Sequence, residues 1–221
     1  GVCSMDKIQQ QVSELMHKLT ASEKQIAREK EFSEIAEKRF RANLQAFKSF
    51  YPDIAKNIED FQSETPIQLF VTKTGYGNIR EHKTGVPLYS DDPIAQVSKQ
   101  VEKHINNPFV NHINFTQYAD ISDDDERLHS RHLKKLGLAV KEAGKYERLE
   151  VLPERFPTAV IFGIGLGYHL PMLLERTQFD YIYLIEPSFE NFYCSLFCID
   201  WKSLIDNVDE QHGVLIFQLG A

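Results

Sequence analysis

The chain has 221 residues, 42% of them hydrophobic and 26% charged, with a formal net charge of −7. That length holds one large domain or two small ones and can bury a core without staples, and the acidic balance, with a pI of about 5.6, speaks against a phosphate-tracking surface and hence against nucleic acid as a partner. No apolar run approaches the roughly 20 residues of a membrane helix, Gly1 to Glu14 lacks a signal-peptide pattern, and Cys3, Cys194 and Cys198 supply no disulfide framework, so a cytoplasmic protein without a membrane partner is expected.

Gly1 is not a start residue, and Met5 stands as a candidate natural start. Residues 1–62 are expected to form an N-terminal helical segment. Thr20 and Glu23 have capping-box spacing, which marks a helix start. From there Ile26, Phe32, Ile35, Ala36, Phe40, Leu44, Phe47 and Phe50 fall at helical spacing. That stripe either packs on its own domain or presents a surface to a partner, a second copy included. Pro52 punctuates, and Ile54, Ile58 and Phe61 suggest a further short helix.

Residues 63–221 are expected to form an α/β domain. Ile67, Leu69 and Val71 alternate with Gln68 and Thr72, as in a half-buried strand. Turn signals at Gly75–Gly77 and Thr84-Gly85 divide a small antiparallel meander. Asp92-Pro93 then opens a helix with a capping side chain and a proline at its first position. Its buried stripe is Ile94, Val97, Val101 and Ile105, and Asn106-Asn107-Pro108 ends it. Residues 109–122 read as loop or short strand. The acidic run Asp123–Glu126 precedes a helix from Arg127 to about Ala143, with Leu128, Leu133, Leu136 and Val140 inside. Acidic residues there suit the helix dipole; they lack the spacing of a calcium loop, and no metal site is assigned.

The stretch from Ala159 to Ser188 carries the strongest signal. The apolar run Ala159–Phe162 enters Gly163-x-Gly165-x-Gly167, a helix follows, and a second apolar run, Tyr181–Ile185, ends on Glu186. This is the pattern of a βαβ unit in a Rossmann-like parallel sheet, its strands covered on both faces. The glycines permit positive φ and close backbone approach. The helix is expected to begin near Gly167, with Pro171 in its first turn. Glu186 lies 23 positions past Gly163, where an acidic residue suits a ribose hydroxyl pair. Gly163, Gly165, Gly167, Tyr168, His169 and Glu186 are therefore the candidate ligand-binding residues. Two readings stay open: a nucleotide or S-adenosylmethionine cradle, or glycines that only let strand and helix pack. The acidic residue that methyltransferases often place just before such glycines is replaced by Ile161 and Phe162. His169 either meets a ligand or is a polar residue at a helix start. Ser188 can cap the next helix, which Asp200-Trp201 closes, and Val214–Gln218 is a third strand. Cys194 and Cys198 are neighbours on that helix and read as buried free thiols. No Ser–His–Asp or Cys–His arrangement emerges, so no catalytic residue is assigned.

GIGLGYHL at Gly163–Leu170, IEPS at Ile185–Ser188 and IDW at Ile199–Trp201 resemble the motility accessory factor (Maf) proteins. So do Asn78-Ile79 and the run Pro87-Leu-Tyr-Ser-Asp-Asp-Pro93 followed by Gln96. The resemblance spans about Pro66 to the C-terminus. It implies an N-terminal α/β domain of a cytoplasmic flagellin glycosyltransferase, with a CMP-activated nonulosonic acid, pseudaminic or legionaminic, as donor and flagellin as partner. It further implies a sialyltransferase-like domain downstream, so the chain is expected to continue past Ala221 and this region not to be catalytic alone. The alternatives from other classes are an S-adenosylmethionine-dependent methyltransferase-like domain and a protein-interaction module built on the Phe32–Phe50 stripe.

Overall fold

The computed structural model describes residues 2–110, 115–144 and 149–220, with side chains from Val12 onward. The chain forms two compact units, one of residues 1–102 and 153–221, the other of residues 103–152.

The first unit begins with helix α1, Val2–Phe50. It contains neither Gly nor Pro and is rich in Lys, Glu, Gln and Ala, all strong helix formers. Pro52 opens α2, Pro52–Asp60, where its missing N–H costs nothing. The helix start expected at Thr20 is corrected: α1 runs through it unbroken. The Thr20 hydroxyl donates back to the Met16 carbonyl (2.9 Å) instead of capping, because the residues before it are themselves helix formers. The seam of α1 that packs on its own domain is narrower than the expected stripe. Ala36, Asn43, Ala46 and Phe47 are buried, whereas Ile26, Ile35 and Phe50 are exposed.

Strands β1, Leu69–Val71, and β2, Gly77–Ile79, pair antiparallel, and a bridge between Arg80 and Pro87 extends the meander. Helix α3 spans Pro93–Asn106, and Asp92 Oδ1 accepts the Ala95 N–H (3.0 Å), as the capping pattern required. A parallel sheet follows in the order β3 (Arg155–Phe162), β4 (Gln178–Glu186), β5 (Val214–Leu219). The crossovers carry α5 (His169–Leu174), then α6 (Phe189–Cys198) and α7 (Trp201–Glu210). Ser188 caps α6 by accepting the Asn191 N–H. Asp200 does not close a helix: α6 ends at Cys198, and the Asp200 carboxylate accepts the Ser203 N–H (2.9 Å) to start α7, which the sequence reading missed. The signal was present, a capping Asp followed by Leu204, Ile205 and Val208 at helical spacing.

One face of this sheet is dry. Ile182, Leu184 and Leu215 are buried, and Phe217 joins Phe47, Phe192 and Trp201 in an aromatic cluster with centroids 5.5–6.1 Å apart. Such pairs contribute about 1 kcal/mol each beyond area burial. The other face is open. Val160 and Tyr183 are register partners, as are Tyr181 and Val214, and all four side chains are exposed; Phe162 is 78% exposed. The expectation that β3 is covered on both faces is therefore corrected. Alternate side chains along a strand point to opposite faces, and the helices cover one of them.

The second unit holds a 3₁₀ turn, Thr116–Asp120, and α4, Leu128–Ala143. Residues 111–114, within the stretch expected as loop or short strand, lie outside the described residues. The expected interior of α4 is also corrected. Leu128 and Leu136 are exposed, and the helix packs through Ser130, Gly137 and Val140. A Cβ at Gly137 would lie 2.3 Å from the Ala119 nitrogen, so the absence of a side chain lets the two backbones meet. Asp123 pairs with Lys134 (2.6 Å), and Asp125 takes two guanidinium bonds from Arg127 (2.9 and 2.6 Å). That contact holds the Asp125 carboxyl well below the usual carboxylate range. No helix among the described residues is long and apolar enough to cross a membrane.

Candidate functional site

The three glycines of the turn after β3 all have positive φ, +83°, +53° and +80°. The Gly163 N–H donates to the Ile185 carbonyl (2.7 Å), which ties the start of the turn to β4. The residues between the glycines point inward: Ile164 and Leu166 have no solvent exposure. Two glycines are needed for space as well as for φ. A Cβ at Gly165 would sit 2.6 Å from the Tyr89 hydroxyl, and one at Gly167 the same distance from Ile199 Cδ1. The turn leads into α5 at His169, two residues past Gly167.

Glu186 ends β4 beside this turn, 3% exposed. Its Oε2 accepts the Gly165 N–H (2.8 Å) and its Oε1 accepts the Ser188 N–H (2.9 Å). The Tyr89 hydroxyl accepts the next amide of the turn, from Leu166 (3.1 Å). Tyr89 is held in turn by buried Asn78, whose Oδ1 accepts the Tyr89 N–H (3.1 Å) and whose Nδ2 donates to the Tyr89 carbonyl (2.8 Å). Tyr168 donates to the Gly77 carbonyl (2.9 Å) and stacks edge-on with Tyr76 and Tyr89. Burial raises the pKa of both Tyr89 and Tyr168, so both phenols stay neutral. Gln96 Oε1 accepts the Ser90 N–H (2.7 Å), fixing the segment that carries Tyr89.

Motifs far apart in the sequence thus converge on one network. Asn78-Ile79, the run Pro87–Pro93, the glycine turn and the Glu186 corner hold one another by hydrogen bonds. The family model described as the glycosyltransferase Maf N-terminal domain matches residues 39–221. The chain belongs to that Maf N-terminal domain family. The solved structure of a Maf glycosyltransferase from Magnetospirillum magneticum AMB-1 shares the fold, with a TM-score of 0.56 and 22% identity over 85% of this chain. The match spans 28% of that protein's chain. No curated protein matches.

Within this Maf domain the six residues expected to bind a ligand lie in or beside the turn. A cavity of about 580 Å³ lies beside α5 and α7, lined by Tyr76, Ile94, Tyr168, Met172, Asn207 and Gln211 among others. Of the six, Tyr168 alone lines it. Glu186, the residue proposed for a ribose, has each oxygen engaged by a backbone amide, an arrangement that counts against the methyltransferase reading. Tyr89 and Asn78 are the residues that the sequence reading missed as parts of this site. Their only signal was the family-like run, since spacing alone does not reveal a contact made across some 77 positions.

His169 begins α5 and is partly buried. Burial holds its imidazole down to about 4, from an ordinary 6.5. The folded domain thus excludes a proton that the unfolded chain binds below pH 6.5. Stability is intact above pH 6.5 and falls as the pH drops through the window to 4. The loss is expected to be about 2 kcal/mol, discounted for residual exposure. Urea unfolding of wild type and His169→Gln at pH 7 and pH 4 checks this: the variant should lose less stability by that amount. Burial pushes the Cys194 and Cys198 thiols up to about 12, so both stay protonated near pH 7.

A second polar cluster lies near the start of α6. Glu190 accepts the Ser63 hydroxyl (2.6 Å) and meets His82 Nε2 (2.7 Å), while His82 Nδ1 meets the Thr65 hydroxyl (3.1 Å). An acidic side chain in the first turn of a helix suits its dipole, and the cluster ties the meander and the segment after α2 to α6.

Proposed function

We propose that this domain is the accessory, non-catalytic N-terminal part of a cytoplasmic Maf-type glycosyltransferase that attaches a nonulosonic, sialic-acid-like sugar to flagellin. The donor is a CMP-activated nonulosonic acid, and the transferase chemistry belongs to another part of the longer polypeptide. The observation that carries this reading is the glycine turn closed on itself. Its Gly165 and Leu166 amides are taken by Glu186 and Tyr89, so these two donors of the turn are already paired within the domain. The buried imidazole and thiols add no group poised for acid–base or nucleophilic chemistry near pH 7. The open face of the parallel sheet supports an accessory role too, since parallel sheets bury both faces and Val160, Phe162, Tyr181 and Val214 are exposed here.

The test incubates the 221-residue chain with a CMP-activated nonulosonic acid and purified flagellin, alongside a longer Maf polypeptide. Mass spectrometry of the flagellin should find the sugar only with the longer protein. Transfer by the 221-residue chain alone overturns the proposal.

A further inference from the structure

The first half of α1 stands away from the body of its unit. The first described side chain of α1 to contact it is Gln25, whose Nε2 donates to the Val71 carbonyl (2.8 Å). Every residue from 12 to 24 is exposed. Yet this stretch is not polar all round. Val12, Leu15, Met16, Leu19 and Ile26 are each more than half exposed, between 51% and 62%. A helix of this length gains little stability on its own in water, and a contiguous apolar stripe on a protein surface marks a contact.

The spacing of the stripe identifies the contact. Val12, Leu15, Leu19, Ser22 and Ile26 follow one another by three, four, three and four residues. This is the a/d repeat of a left-handed coiled coil, and the sequence carries it upstream to Ile8 and Met5. The same register continues downstream through Glu29 and Ser33 to Ala36, Phe40, Asn43 and Phe47. There it is occupied: Ala36, Asn43 and Phe47 are buried, and Phe40 stacks on Phe197 with centroids 4.6 Å apart. One helical seam is thus used twice. Its second half packs on the chain's own α6 and α7, and its first half, beyond the polar interval of Glu29 and Ser33, is bare.

We propose that residues 12–26 of α1 pair with the same residues of a second copy of this chain in a parallel, two-stranded coiled coil. The seam is self-complementary, so a second copy supplies the facing knobs and holes. β-branched Val12 and Ile26 at a positions with Leu15 at d favour two strands. Charge sets the direction. Lys18 falls at g and Glu23 at e, five residues apart, and in a parallel pair each Lys18 faces the other copy's Glu23. An antiparallel pair sets g against g and e against e, which loses that match. Met16 at e widens the apolar contact on the same side. This pairing does not depend on the transferase reading, and it differs from a contact through Phe32–Phe50, whose seam the domain itself fills.

Sedimentation equilibrium of the 221-residue chain at about 10 µM tests the pairing. The expected mass is twice the 25.6 kDa of one chain. Leu15→Asp with Leu19→Asp should give the single-chain mass, while the unfolding transition followed by fluorescence of buried Trp201 stays in place. Lys18→Glu and Glu23→Lys should each weaken dimerisation about tenfold, and mixing the two variants should restore it as a heterodimer. Leu15→Cys in a Cys3→Ser background should cross-link under mild oxidation, because a parallel pair sets Leu15 beside Leu15. A monomeric wild type, a mass of three or four chains, a dimer that survives the double Asp change, or a dimer that fails to cross-link at position 15 each overturns it.

Discussion

Glu186→Ala is expected to destabilise the domain by about 4 kcal/mol, one of the largest effects of any single change. The carboxylate is buried at 3% exposure and accepts two backbone amides, from Gly165 and Ser188. Hydrogen bonds to a charged acceptor are worth about 1.5–3 kcal/mol each, and a buried amide left without a partner costs a further 1–3. Gly165 cannot relax easily, because its positive φ and the Tyr89 hydroxyl fix the turn. Glu186→Gln keeps one acceptor oxygen and turns an NH₂ group toward the other amide, so about half the loss is expected. Urea unfolding at pH 7, read by Trp201 fluorescence, measures both. A loss under about 1 kcal/mol for alanine would mean that the turn amides do not depend on Glu186. The turn would then be open to a ligand, and the accessory reading would lose its main support.

Asn43→Ala is expected to cost a similar amount, about 4 kcal/mol, from a position that no motif marks. Asn43 lies in α1 with no solvent exposure. Its Nδ2 donates to the carbonyls of Leu196 and Ile199 (2.8 and 2.9 Å), and its Oδ1 accepts the Lys202 N–H (3.0 Å). One side chain thus satisfies the orphan carbonyls at the end of α6 and an orphan amide at the start of α7. Alanine leaves two buried carbonyls and one part-buried amide unpaired, and a small cavity. Asn43→Asp keeps the acceptor but loses both donors and buries a charge, so it should be no better. Arg39, which donates to the Phe197 and Cys198 carbonyls (3.1 and 3.0 Å) from a more exposed place, should cost about 1 kcal/mol when changed to alanine. In a thermal melt the Asn43→Ala shift should be about 10 °C. An unchanged melting temperature would show that α1 is not what fastens α6 to α7.

Features that rest on neighbours along the chain are legible in the amino-acid order alone. Two apolar runs joined by spaced glycines and a helical segment read as a βαβ unit whose turn takes positive φ, and Asp92-Pro93 and Ser188 cap helices within three or four residues of themselves. The place of Glu186 at the end of a parallel strand, next to the glycines, is legible in the same way, as are the Maf-like motifs in that stretch. What those residues face follows from packing between distant segments. Spacing cannot tell a carboxylate that waits for a ribose from one that already holds Gly165 and Ser188. Nor can it show that Tyr89, fastened by Asn78, fills the place above Gly165. The same limit explains why Val160 and Phe162, apolar residues in a parallel strand, are exposed, and why the α1 stripe is buried at Phe47 yet bare at Leu19. Burial is set by what packs across from a residue, and that partner can lie 159 positions away, as Lys202 does from Asn43.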